Sequence, residues 1–166
     1  MGPSAMKSDA TPVHSDLPPV TFMFMCPVPS RIPVWARLTG QEYTHVVTLI
    51  GDRIWDQPIN APGACYDAIQ WAEAAQLSAR HVMAVTLSGD GADSEAVLDC
   101  LQEIAGRKGQ RIRTMLRHLR LWPFRPWNCL SPVRKLAAIY GHPVSGETPD
   151  DVLEELVAQI DGQSHQ

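Results

Sequence analysis

"EYTHVVTLIGDRIWDQP", Glu42 to Pro58, is the stretch on which the fold turns. Thr44 to Ile50 is β-branched and apolar, Gly51-Asp52 is a two-residue turn signal, and Arg53 to Asp56 runs back, the pattern of a β-hairpin. With a two-residue turn, Ile50 faces Arg53 and Val47 faces Asp56, so His45, Val47, Ile54 and Asp56 share one face and Asp56 is a diagonal neighbour of His45. A three-residue turn slips the register by one and brings Gln57 to the histidine instead. Either side chain accepts a hydrogen bond from an imidazole N–H. His45 is then either a polar residue in a sheet or the base of a catalytic pair whose nucleophile lies elsewhere.

Elements on both sides of the hairpin set its context. Pro19 to Val28 is a short apolar, β-rich run closed by prolines, which predicts a first strand. "SRIPVWARLTG" predicts a short helix from about Pro33 to Leu38, stopped by Gly40. After the hairpin, "NAPGACYDAIQWAEAAQ" starts as loop and becomes compatible with helix, and Arg80 to Gly89 is a further strand ending at a Ser-Gly turn. Ala96, Val97, Leu98, Leu101 and Ile104 lie at helical spacing before Gly106. Ile112, Met115, Leu116 and Leu119 form the apolar side of an arginine-rich amphipathic segment that ends at Pro123. A helix is expected from Cys129 to Tyr140, with Pro132 tolerated in its first turn and Gly141 at its end. Thr148-Pro149-Asp150 opens a last helix that turns Val152, Leu153, Leu156, Val157 and Ile160 inward. The sum is an α+β domain, a mostly antiparallel sheet with helices packed on it. Residues 19–160 form this single domain, 1–18 a flexible leader and 161–166 a flexible tail.

Composition bounds the function. The 166 residues, 45% hydrophobic and 19% charged, suit one globular domain. No apolar run approaches the ~20 residues that cross a bilayer, so an integral membrane protein is excluded. Lys7 has no apolar stretch behind it, so the leader does not read as a secretory signal, and synthesis in the cytoplasm is expected. Cys26, Cys65, Cys100 and Cys129 show no paired spacing, which argues against a structural zinc site and a disulfide framework; no metal and no cofactor is expected. Net charge is −4, yet seven of the fourteen Lys and Arg fall between Arg107 and Arg125. Arg111, Arg113, Arg117 and Arg120, interleaved with Trp122, Phe124 and Trp127, mark a cationic face whose partner would be nucleic acid, anionic lipid or another anionic polymer. Against this stands the ordinary case of a solvated surface helix.

A thiol becomes a nucleophile where a helix N-terminus and an imidazole favour its thiolate and a third polar group orients the imidazole. Cys129 follows Trp127-Asn128 at the start of a predicted helix, where unpaired backbone N–H groups also suit an oxyanion. Cys26 lies in a strand-like run, Cys65 in a loop and Cys100 inside a helix, which is packing rather than chemistry. Among the histidines, His14 and His165 lie in tails, His118 in the arginine-rich segment and His142 past a helix stop. His81 opens a strand, and His45 is embedded where a sheet would hold it.

The order "ARLTGQEYTHVVTLIGDRIWDQP", a later stretch from Gly63 to Trp71, then "WNCLSPVRKLAAIYG" and "TPDDVLEEL" resembles that of circularly permuted papain-like cysteine hydrolases, the NlpC-like group that includes lecithin:retinol acyltransferase-like enzymes. The resemblance covers about Ser30 to Leu156. It implies a permuted papain-like fold with His45 as general base, Cys129 as nucleophile and Asp56, or Gln57, as orienting residue; Tyr43 is a candidate for the oxyanion. It implies a cysteine peptidase or amidase acting on peptides such as peptidoglycan stems, or an acyltransferase. Relatives in phage and prophage genes extend this to a virion-associated or cell-wall role. Leu130-Ser131-Pro132-Val133 after the cysteine departs from the Ser-Glu-Leu/Phe-Val of many relatives, and the basic segment before it is unusual.

Overall fold

The computed structural model describes residues 17–59, 61–76, 78–118, 121 and 123–163. The first sixteen residues of the expected leader, Arg120 and Trp122 lie outside these, as do the last three of the tail. Residues 161–163 belong to a helix, so the tail begins later than expected. Leu17 and Pro18 are tied to the domain: Leu17 packs on the core and the Pro18 carbonyl accepts a hydrogen bond from the Tyr140 hydroxyl (3.0 Å).

Strand β1 (Val20–Pro27) alternates buried with half-buried residues, the period of a strand with one face on a core. It lies between β2 (His45–Ile50) and β5 (Ala79–Leu87). β3 (Arg53–Asp56) and β4 (Ala64–Asp67) complete a five-stranded sheet of order β4-β3-β2-β1-β5, antiparallel throughout. The Gly51-Asp52 turn has two residues: Ile50 pairs with Arg53 and Val47 with Asp56. Gly51 has φ +62°, a left-handed conformation that glycine takes without a Cβ clash. β4 was not expected. Four residues with half-buried or exposed side chains carry no strong alternation, and it is pairing with β3 that makes them a strand.

Helix α1 (Val34–Thr39) is stopped by Gly40 at φ +69°. α2 (Ala68–Gln76) follows β4 directly. α3 (Ser94–Gly106) is capped by Asp93, whose carboxylate accepts from the Glu95 and Ala96 N–H groups, as cap residues do. α4 (Arg111–His118), α5 (Leu130–Ile139) and α6 (Pro149–Gln163) complete the chain. Phe22 and Phe24 of β1, Val46 of β2, Ile104 of α3, Leu130 and Leu136 of α5 and Leu156 of α6 share one buried core. Two residues expected in it are exposed: Leu98 on α3 and Val157 on α6. Their sequence neighbours Val97 and Leu156 are the residues buried in the core. No described helix is long and apolar enough to cross a membrane.

Candidate active site

His45 is the first residue of β2, and the chain leading into it is clamped. Both carboxylate oxygens of Asp150, near the start of α6, accept backbone bonds, from Glu42 N–H and Tyr43 N–H (2.8 Å each). A negative group in the first turn of a helix is favoured there, and here it also fixes the start of the neighbouring strand. Asp150 has a clear signal as a first-turn acid, but nothing in the sequence points to its distant partners.

The two-residue turn decides the orienting residue. His45 Nε2 lies 2.7 Å from Asp56 Oδ1, with the imidazole 28% and the carboxylate 18% exposed. Gln57 is directed elsewhere. It is buried, its Nε2 donates to the carbonyls of Pro58, Ala61 and Arg107, and its Oε1 accepts from Trp127 Nε1 (2.8 Å). Gln57 thus braces the segment that leads to Cys129. An alternating strand sends consecutive side chains to opposite faces, which is why one neighbour reaches the histidine and the next cannot.

Cys129 directly precedes α5 and already has helical backbone angles, φ −57° and ψ −24°. Asn128 Oδ1 accepts from Leu130 N–H (2.9 Å), Asn128 N–H donates to Ser131 Oγ (3.1 Å) and Ser131 N–H to the Asn128 carbonyl (3.0 Å). These bonds satisfy the first turn and hold the cysteine at its mouth. Among the described residues, the Cys129 backbone N–H makes no hydrogen bond. The Asp56 carboxylate and the nearby Cys129 both favour the charged form of the His45 imidazole. Burial works against its charged form, but these two partners outweigh burial and push its pKa from the usual 6.5 up to about 10. The other cysteines differ: Cys100 is buried in α3, burial raising its thiol to about 11, and Cys65 is exposed on β4 rather than in a loop.

Cys129 and His45 open into a cleft of about 350 Å³ lined mainly by apolar residues, among them Trp35, Pro58, Ile59 and Pro149, with Arg111 and Thr114 of α4 on one wall. Tyr43 is not part of it. Its hydroxyl shares a hydrogen bond with His81 Nε2 (3.3 Å), and its ring meets His81 and Phe24 edge-on. The expected oxyanion role therefore finds no support in its position. Trp55 packs against the core and Tyr66 is exposed, while Trp35 lines this cleft.

Three cations of the basic segment are paired within the chain. Arg117 makes two hydrogen bonds to the Glu147 carboxylate (3.1 and 2.8 Å) and Arg125 a third (2.8 Å). These hold Glu147 at about 2, its burial opposing them. Arg107 pairs with Glu103 (2.9 Å) and lies 4.8 Å from the Trp127 ring centre. Of the expected cationic face, Arg117 and Arg125 share the single carboxylate of Glu147, which offsets one of their two charges. Trp127, expected among exposed stacking residues, is buried.

Among known proteins, the chain matches no family model, no curated protein and no solved structure.

Proposed function

We propose that the protein is a cysteine hydrolase of amide bonds, with Cys129 as nucleophile, His45 as base and Asp56 as orienting residue. One observation carries this reading: an imidazole hydrogen-bonded to Asp56 that shares an apolar cleft with a cysteine at the mouth of α5. With Nε2 engaged by Asp56, Nδ1 is left to hold the proton given up by the thiol, and a ring raised to about 10 keeps it at neutral pH. The thiolate then attacks the carbonyl carbon, and the Cys129 backbone N–H offers a donor to the resulting oxyanion. Collapse breaks the C–N bond, the imidazolium returns its proton to the departing amine, and a thioester remains. Water, deprotonated by the same imidazole, releases the acid and the free thiol.

The motif order supports a permuted papain-like, NlpC-like assignment and, with it, peptide substrates such as peptidoglycan stems and a cell-wall or virion-associated setting. An acyl acceptor other than water would turn the same thioester into acyltransferase chemistry. A non-enzymatic role through the basic segment has less behind it, because Arg117 and Arg125 are spent on Glu147. The test is to incubate the protein with a panel of muropeptides and follow both products and protein by mass spectrometry. Cleavage with a transient acyl mass on Cys129, removed by hydroxylamine and lost in Cys129→Ala, is the expected result. If no muropeptide is cleaved and Cys129 reacts with iodoacetamide no faster than Cys100, the hydrolase reading is wrong.

A further inference from the structure

Thr114 is 3% exposed, lies on the wall of the Cys129 cleft, and its hydroxyl has no hydrogen-bond partner. A buried helical threonine usually turns its hydroxyl to the carbonyl four residues back. Here the Gln110 carbonyl accepts the Thr114 backbone N–H (2.8 Å), and the Oγ1 makes no bond. Three residues earlier on the same helix, and hence on the same side, Arg111 lines the cleft too. It is exposed and has no ion-pair partner among the described residues, whereas Arg107, Arg117, Arg125 and Lys135 are each paired with Glu103 or Glu147. Among the described residues, the lining contains no aspartate or glutamate, and the Asp56 carboxylate is taken up by His45, so Arg111 is left to face an incoming anion.

We infer that this wall is a subsite for a carboxylate on the acyl donor, gripped by the Arg111 guanidinium and the Thr114 hydroxyl while the scissile carbonyl lies at Cys129. The inference rests on the hydrolase reading and gives its substrate class: an amide flanked by one anionic group and otherwise apolar. A guanidinium fork matches the two oxygens of a carboxylate, and a buried hydroxyl without a partner gains a bond when one arrives. One guanidinium balances one negative charge, which favours a carboxylate over a doubly charged phosphate. The carboxylate is either an acidic side chain or a free main-chain group.

Alkylation by iodoacetate and iodoacetamide tests the subsite without knowledge of the substrate. In both, the Cys129 thiolate displaces iodide, and the two reagents differ by a carboxylate against an amide. Rates at Cys129 and, as an exposed reference, Cys65 are read by peptide mass spectrometry. The iodoacetate-to-iodoacetamide ratio at Cys129 is expected to exceed that at Cys65, and Arg111→Ala to lower it about fivefold, as loss of one nearby unit charge should, the iodoacetamide rate serving as the divisor that removes any change in thiolate reactivity. Thr114→Val is expected to lower the ratio while remaining at least as stable as the parent in urea, because it removes an unpaired hydroxyl. An unchanged ratio in Arg111→Ala overturns the subsite even if Cys129 proves highly reactive; a sluggish Cys129 with iodoacetamide instead points to failure of the hydrolase reading. N-acetyl-α-glutamyl and N-acetyl-γ-glutamyl aminomethylcoumarin, set against the neutral glutaminyl amide, separate side-chain from main-chain carboxylates. An equal or higher kcat/KM for the neutral amide than for both charged ones also overturns the inference.

Discussion

Replacing Asp56 by asparagine keeps the size and an acceptor oxygen but removes the charge that faces His45 Nε2 at 2.7 Å. The imidazole is pushed up to about 10 against the pull of its own burial. A carboxylate in direct contact shifts a neighbour by ~1–3 pH units, so the asparagine variant should bring the His45 value down by that amount. At ~1.4 kcal/mol per unit this is about 1–4 kcal/mol of preference for the charged ring, with the lower half favoured because 28% of the imidazole meets water. The sign follows from linkage: a pKa raised on folding stabilises fully below 6.5 and loses that contribution as pH rises through about 10. The stability difference between parent and Asp56→Asn should therefore be largest at pH 6 and fade toward pH 10. An NMR titration of the His45 ring carbon–proton signal gives the pKa directly, and urea unfolding at a series of pH values gives the linkage. A His45 value within half a unit of the parent's in Asp56→Asn would refute the assignment of Asp56 as the group that holds the charge.

Two further outcomes are expected. Gln57→Leu leaves the buried Trp127 indole N–H without its acceptor and removes a donor from the Pro58, Ala61 and Arg107 carbonyls, of which the last two keep backbone partners, at about 1–3 kcal/mol for such a buried loss. Urea unfolding followed by tryptophan fluorescence measures it, and a loss below half a kcal/mol would contradict the bracing role. Glu147→Gln removes a carboxylate held at about 2 by Arg117 and Arg125. A pKa depressed on folding stabilises above the ordinary 4.5 and loses that contribution as pH falls through about 2. The variant should be less stable at pH 7 by about 1 kcal/mol, discounted because the carboxylate is a third exposed, with the difference shrinking as pH falls from 4.5 toward about 2; a difference that does not shrink over that range counts against the ion pairs as its source.

Much of the architecture follows from local rules. Gly51-Asp52 between two β-rich runs made a hairpin, Gly40 and Gly141 ended helices at positive φ, and Thr148 opened α6, its hydroxyl accepting from Asp151 N–H (3.2 Å). These depend on chemistry within a few residues, so the sequence carries them openly. β4 was invisible because a short edge strand with exposed side chains has no inward face to pattern, and only the unpaired edge of β3 calls it into being. Leu98 and Val157 fit helical spacing yet face water, since periodicity measures a helix's stripe and not how far a core reaches.

What the sequence determined by itself about the candidate site is the choice of its two groups: one histidine in a hairpin and one cysteine at the start of a helix, each placed by its own local structure. Whether Asp56 or Gln57 served the histidine waited on the observed turn, because a single-residue slip exchanges the faces of a strand. Tertiary structure alone decided that Arg117 and Arg125 would converge on Glu147, that Asp150 would anchor the start of β2, and that Thr114 would be buried beside Cys129 with its hydroxyl unpaired. Each of these depends on segments far apart in the chain, and a contact closed by packing leaves no periodicity in the residues that make it.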